Sequence, residues 1–104
     1  MDIRTAQRLA WQNKLAKGFN TTDVALEFGL LTAEVGEAFT AWRRRLPDAG
    51  EELADVFLYL TALAEMTGHD LQNEVEAKLE KNRTRVYVRN AQGILTRTDT
   101  PPES

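Results

Sequence analysis

Four carboxylates on two short segments carry the strongest chemical signal in the sequence. Glu34 and Glu37 lie in Ala33-Glu34-Val35-Gly36-Glu37-Ala38, and Glu52 and Asp55 in Glu51-Glu52-Leu53-Ala54-Asp55-Val56. Each pair is spaced i, i+3, which on a helix projects both side chains from one face. The short Pro47- and Gly50-containing connection between them implies antiparallel neighbouring helices with the pairs facing each other. Four close carboxylates cannot all stay ionised without a cation. Hard oxygen ligands favour Mg²⁺, with Mn²⁺ as a substitute, and such a cluster in a helical bundle points to chemistry on phosphates.

A single Glu-x-x-Glu is ordinary on a solvated helix face. Here the pairs are flanked by Ala33, Val35, Ala54 and Val56, and no Lys or Arg stands four residues from Glu34 or Glu37. Gly36, inside the first pair, costs about 1 kcal/mol against alanine in a helix. It implies close approach of a neighbouring helix or a ligand. A di-iron or di-manganese bundle needs two Glu-x-x-His pairs, and the chain has one histidine, His69. With no cysteine, a zinc site has neither thiolates nor paired imidazoles.

The elements that must position these acids read as four helices. Asp2 caps a first helix to about Lys17, with Ile3, Leu9 and Leu15 as apolar positions and Gly18 as its left-handed stop. Asn20 is the expected cap of the second, with Asp23 at its N3 position. Val24, Phe28, Leu31, Val35, Phe39 and Trp42 recur along that helix at steps of three and four, which reads as its buried face. Pro47 ends it, and Asp48 with Glu51 has the spacing of a capping box for the third. Leu53, Val56, Phe57, Leu60, Leu63 and Ala64 give the third helix a wide apolar face up to Gly68. Asp70 caps a fourth, lined by Leu71, Val75 and Leu79 and fraying near Arg85. Val86 to Arg89 and Ile94 to Arg97 then alternate around Gly93, the pattern of a short β-hairpin. Pro101 to Ser104 reads as a loose tail. The fold class is all-α, a four-helix bundle with a possible C-terminal hairpin.

At 104 residues the length fits one domain with a small core, which oligomerisation would help. A net charge of −3 lacks the basic footprint of a nucleic-acid binder. No apolar run reaches the length of a membrane span and no apolar leader core is present. The absence of cysteine fits a reducing cytoplasm.

The words around the acids resemble the MazG-like, all-α nucleoside triphosphate pyrophosphatases. Glu34-x-x-Glu37 and Glu52-x-x-Asp55, separated by residues 38–51, have that family's signature. So do Leu31-Thr32-Ala33-Glu34-Val35-Gly36-Glu37-Ala38 and Glu51-Glu52-Leu53-Ala54-Asp55-Val56-Phe57-Leu58-Tyr59-Leu60. Lys78-Leu79-Glu80-Lys81-Asn82-Arg83-Thr84-Arg85 is similar to the family's basic and amide element. The start at Asp70-Leu71 and the ending Asn82-Arg83-x-Arg85-x-Tyr87 resemble the dCTP pyrophosphatase branch. The likeness covers about residues 5 to 87, and it divides the chain into a domain over 1–88 and an extension over 89–104.

The resemblance implies Mg²⁺-dependent cleavage of a (deoxy)nucleoside triphosphate to the monophosphate and pyrophosphate, in a homodimer or homotetramer. Glu34, Glu37, Glu52 and Asp55 become the catalytic metal ligands, with Glu37 the favoured proton acceptor. Lys78, Asn82 and Arg85, at i, i+4 and i+7, become a substrate-binding stripe. Lys78 and Arg85 suit phosphate oxygens; a solvated basic face is the plainer reading of the same residues. Trp11 is a candidate for stacking on a base, as is Trp42, although Trp42 continues the apolar stripe. Phe19 and Asn20 resemble a position that approaches the nucleoside. Arg43, Arg44 and Arg45 suit a helix C-terminus as well as a phosphate. Two other functions remain open on the residues alone, a non-enzymatic helical interaction module and a nucleic-acid-associated protein using the arginine run, and the resemblance also extends to a phosphoribosyl-ATP pyrophosphohydrolase-like enzyme.

Overall fold

The computed structural model describes residues 1–98; the tail expected at Pro101 to Ser104 lies outside them. Four helices are followed by two strands: α1 Ile3–Lys17, α2 Val24–Arg43, α3 Ala49–Met66, α4 Leu71–Thr84, β1 Tyr87–Arg89 and β2 Leu95–Arg97. The chain forms two compact units, Met1–Gln72 and Asn73–Ser104, with the boundary inside α4.

In the first unit α3 is central, packing against both α1 and α2. The helix ends follow from their sequences. Asp2 caps α1 by accepting the Thr5 N–H at 2.7 Å. At its other end Gly18 takes the left-handed conformation, φ 71°. The Gly18 N–H then reaches the Leu15 carbonyl and the Phe19 N–H the Lys14 carbonyl, a Schellman closure. Gly68 closes α3 in the same way, its N–H on Glu65 and that of His69 on Ala64.

The α2 helix begins and ends differently from the sequence expectation. Its cap is Asp23, whose Oδ1 accepts the Leu26 N–H at 3.0 Å. Asn20 instead folds the preceding loop, accepting the Asp23 N–H at 3.0 Å. The helix stops at Arg43, before Pro47 acts. Arg45 adopts φ 56° and the Arg45 and Leu46 N–H groups close on Trp42 and Ala41. A Schellman end is thus built on arginine. At α3, Asp48 occupies the cap position without a side-chain bond, because its ψ of 12° departs from the extended backbone that a capping side chain needs.

The buried face of α2 also differs from the expected one. Phe28 is 55% exposed, Val35 50%, Phe39 57% and Trp42 69%. Glu27, Ala38 and Ala41 are buried, with Leu30, Leu31 and Glu34 half-buried. The period is helical as expected, but the inward face is offset by one residue. Small residues let α2 and α3 pack closely, and the large apolar side chains point away. On α3, Leu53 and Leu60 are likewise exposed, and Leu63 and Ala64 are buried. The core proper is Ala38, Ala41, Ala62, Leu63 and Ala64.

Gln7, buried on α1, ties the unit together. Its Nε2 donates to Glu65 Oε2 and to the His69 carbonyl, both at 2.9 Å, and its Oε1 accepts the Leu71 N–H at 3.1 Å. A side chain from α1 thus caps the start of α4. Asp70, just before α4 where the cap is expected, also accepts the Arg4 Nε–H at 2.8 Å.

In the second unit, β1 and β2 pair antiparallel with Tyr87 opposite Arg97 and Arg89 opposite Leu95. Gly93 has φ 77°, and Asn90 Oδ1 accepts the Gln92 and Ile94 N–H groups at 2.9 and 3.0 Å. The expected hairpin is present.

Candidate functional site

The inward face of α2 and the N-terminal half of α3 bring three of the four predicted acids together, with Asp55 outside the group. Glu34, Glu37 and Glu52 each place one carboxylate oxygen within 4.8 Å of the others. The cause is the i, i+3 spacing on two packed helices. Glu34 and Glu52 are half-buried and Glu37 is exposed. Asp55, half-buried, lies close enough to add to the negative potential at Glu34 and Glu52.

This potential is uncompensated. Loss of hydration raises the Glu34 carboxyl above its ordinary value, and a hydrogen bond and like charge from Glu37, then charge from Asp55 and Glu52, raise it further. The Glu52 carboxyl is raised by burial first, then by Glu37, Asp48, Asp55 and Glu51. Among the described residues, Glu34 Oε2 and Glu52 Oε2 are both shielded from solvent and have no hydrogen-bond partner. Buried carboxylate oxygens are normally satisfied. Two orphaned oxygens beside a third carboxylate fit a divalent cation held by oxygen ligands.

Two cavities flank the cluster. One of about 430 Å³ is lined by residues that include Gly36, Glu37, Asp48 and Glu52. Nothing lies within 4 Å of where a Gly36 Cβ would stand, so no neighbouring helix approaches there. The expected helix contact is absent among the described residues, and Gly36 borders the open cavity instead. The other cavity, about 360 Å³, has Asp55 in its wall with Ala10, Asn13, Lys14, Phe19, Glu27, Leu30, Leu58, Tyr59 and Ala62.

That second cavity contains residues the sequence reading missed. Lys14 Nζ lies 2.9 Å from Glu27 Oε2 and donates to Oε1 at 3.1 Å. The two side chains are 9% and 0% exposed. Asn20 Nδ2 donates to the same Oε1 at 3.2 Å and to the Asp23 carbonyl at 2.8 Å. The ammonium sits over the rings of Phe19 and Tyr59, 5.9 and 5.8 Å from their centroids. Burial raises the Tyr59 hydroxyl above its ordinary value, with added effect from the charges of Glu34, Glu27, Asp55 and Glu37. A signal for the pair was available: Glu27 precedes Glu34 by seven residues, in phase with the inward face of α2.

The other predicted residues are placed as follows. Phe19 lines the second cavity and is exposed at 54%. Asn20 spends its side chain on the α1–α2 loop and on Glu27. Trp11 is half-buried on α1 and does not line that cavity. Arg43, Arg45 and Trp42 line an open cavity at the end of α2 with Leu46 and Ala49.

Lys78, Asn82 and Arg85 belong to the second unit. Arg85 follows the last residue of α4 and donates to Asn82 Oδ1 at 3.1 Å. The Arg85 charge foremost lowers the Lys78 ammonium below its ordinary value, with some loss of hydration and the charges of Lys81 and Arg97 adding to the effect. These residues form a cluster of positive charge suited to an anion.

No protein-family model matches the chain, and no curated protein matches it. Among solved structures, it is similar to the cyanophage S-2L MazG-like pyrophosphohydrolase bound to dGDP and three catalytic Mn²⁺ ions per active site. The TM-score is 0.68 at 24% identity, over 95% of this chain and 99% of the other. The chain therefore has the all-α fold of a MazG-like pyrophosphohydrolase.

Proposed function

We propose that the chain is a divalent-cation-dependent nucleoside triphosphate pyrophosphohydrolase, yielding a nucleoside monophosphate and pyrophosphate. The observation that carries this reading is the pair of buried, unpartnered oxygens of Glu34 and Glu52 beside Glu37. The fold agrees with it, and the structural relative binds a nucleotide and Mn²⁺.

In this reading Glu34, Glu37, Glu52 and Asp55 hold Mg²⁺ or Mn²⁺. When bound, the metal would neutralise phosphate charge and lower the pKa of a coordinated water. Attack of water oxygen on the α-phosphorus breaks the bond to the bridging oxygen, and pyrophosphate leaves with that electron pair. Glu37, the exposed member of the cluster, accepts the water's proton. The Glu34 and Glu52 carboxyls hold their protons more readily than free ones, so metal binding would compete with protonation. Lys78 and Arg85 supply charge-assisted hydrogen bonds to phosphate oxygens, and Asn82 an amide donor. Phe19 offers a ring face to a base in the second cavity, beside the loop braced by Asn20, and Trp11, outside that cavity's lining, is the second candidate for stacking.

The preferred substrate is a deoxycytidine or other pyrimidine triphosphate, on the strength of the sequence resemblance. The catalytic domain spans 1–88, with 89–104 an extension. The exposed stripe on α2 supports a homodimer or homotetramer. No helix among the described residues is long and apolar enough to cross a membrane, and we place the enzyme in the cytoplasm, acting on free nucleotides and not on nucleic acid. A pyrophosphate-release screen over the common NTPs and dNTPs, with Mg²⁺ and with Mn²⁺, tests the activity. Adding phosphoribosyl-ATP to the panel separates the related pyrophosphohydrolase. Release from none of them, together with no metal-induced rise in melting temperature, would assign the chain to the interaction modules.

A further inference from the structure

The buried Lys14–Glu27 pair is not required to hold metal or phosphate in the reaction proposed above. Burying two charges costs more than a surface pair returns unless the geometry is good. The pair stands in the wall of the cavity that also contains Asp55, so its placement bears on whatever occupies that space.

An ammonium has three N–H donors and no acceptor. One of the donors on Lys14 bonds Glu27 Oε1, and Oε2 lies 2.9 Å from Nζ as an ion-pair contact without hydrogen-bond geometry. Among the described residues no further oxygen is bonded to Nζ, and its other neighbours are the rings of Phe19 and Tyr59. One N–H on a nine-tenths buried side chain is therefore available between two aromatic rings. The remaining lining is mainly apolar, through Ala10, Leu30, Leu58 and Ala62. The volume of about 360 Å³ falls within the usual range of small-molecule sites. Aromatic rings and apolar walls suit a planar heterocycle, and a lone donor suits a carbonyl oxygen on it.

We propose that Lys14, fixed by Glu27, is a specificity-determining residue that donates to a carbonyl oxygen of the substrate's base in this cavity. The proposal rests on the nucleotide reading of the site. Cytosine, thymine, uracil and guanine each carry an exocyclic oxygen, and adenine carries only an amino group. An amino group facing the ammonium sets donor against donor, so adenine nucleotides are the disfavoured class. Glu27 acts through Lys14, as does Asn20 through Glu27, and both are positioning residues.

The test compares dITP with dATP, which differ at the purine 6-position by a carbonyl against an amino group. Wild type should favour dITP in kcat/KM by about ten- to a hundredfold, the range of one charge-assisted hydrogen bond. Lys14→Met alone leaves Glu27 buried without a counter-ion. The informative variant is therefore Lys14→Met/Glu27→Leu, in which apolar side chains replace the whole pair. It should bring the dITP-to-dATP ratio near one, mainly through KM, and keep the Mn²⁺-induced rise in melting temperature. A stable double variant with the wild-type ratio would make the pair purely structural and overturn the proposal. Binding of deoxyinosine and deoxyadenosine, measured by NMR on wild type without metal, separates the two ideas. Preference for deoxyinosine without hydrolysis of any triphosphate leaves the base site standing and removes the activity. Hydrolysis without preference in either assay removes the base site alone.

Discussion

At the residue scale, the decisive feature is that Glu34 and Glu52 hide an oxygen each with nothing to bond it. Their carboxyls are raised, by burial foremost and then by neighbouring negative charge. A raised acid binds its proton more readily folded than unfolded, so metal-free stability falls as pH rises through the window above the ordinary value of 4.5. The penalty is complete above the raised native value and is relieved below the unfolded one. Melting curves of the metal-free protein should therefore move upward as pH is lowered from neutrality to about 5. Added Mn²⁺ should reverse that trend, stabilising most near neutrality, where protons no longer compete. A metal-free melting temperature that falls steadily over the same interval would contradict the crowded-carboxylate account.

In the proposed reaction Lys78 and Arg85 contact phosphate. Lys78→Ala and Arg85→Ala should each lower kcat/KM by about ten- to a hundredfold, the worth of a charge-assisted contact. Both variants should retain the wild-type thermal shift with Mn²⁺. Wild-type kinetics in both would return them to a solvated basic face. The acids were legible in the sequence because their chemistry and spacing are local. The Lys14–Glu27 pair was legible only in part: Glu27 is in phase with Glu34, but its partner stands on another helix and each charge alone looks like surface.

At the scale of elements, local chemistry predicted most helix boundaries. Asp2, Gly18 and Gly68 act as expected, because capping depends on a few neighbouring atoms. The end of α2 was not legible: Arg45 occupies the left-handed region, φ 56°, which costs an L-residue about 1–2 kcal/mol. Arg45→Gly should relieve that strain and stabilise the protein by about 1 kcal/mol, read as a higher midpoint in urea. A lower midpoint would mean that the arginine side chain contributes more than its backbone costs. The face of α2 was also misjudged. Phe28, Val35, Phe39 and Trp42 signal a buried stripe by hydrophobicity, yet the helix turns Glu27, Glu34, Ala38 and Ala41 inward. Periodicity fixes the repeat of a helix and leaves open which of its faces meets the same chain.

At the scale of the whole molecule, that stripe is the strongest sign of assembly. Exposed large apolar side chains on one helix, with Leu53 and Leu60 exposed on its neighbour, are the pattern expected of an interaction surface. Sedimentation should give a dimer or tetramer at micromolar concentration, and Phe39→Glu/Trp42→Glu should shift it toward monomer. A compact wild-type monomer would leave the stripe without a partner of its own kind. The chemistry is tested most directly by pyrophosphate release with Mn²⁺ from a mixed panel of dNTPs, comparing wild type with Glu37→Gln. The account predicts release by wild type, loss on chelation, and near-complete loss in Glu37→Gln with its melting temperature unchanged or raised. Undiminished release by Glu37→Gln, or equal release in the presence of chelator, would contradict it.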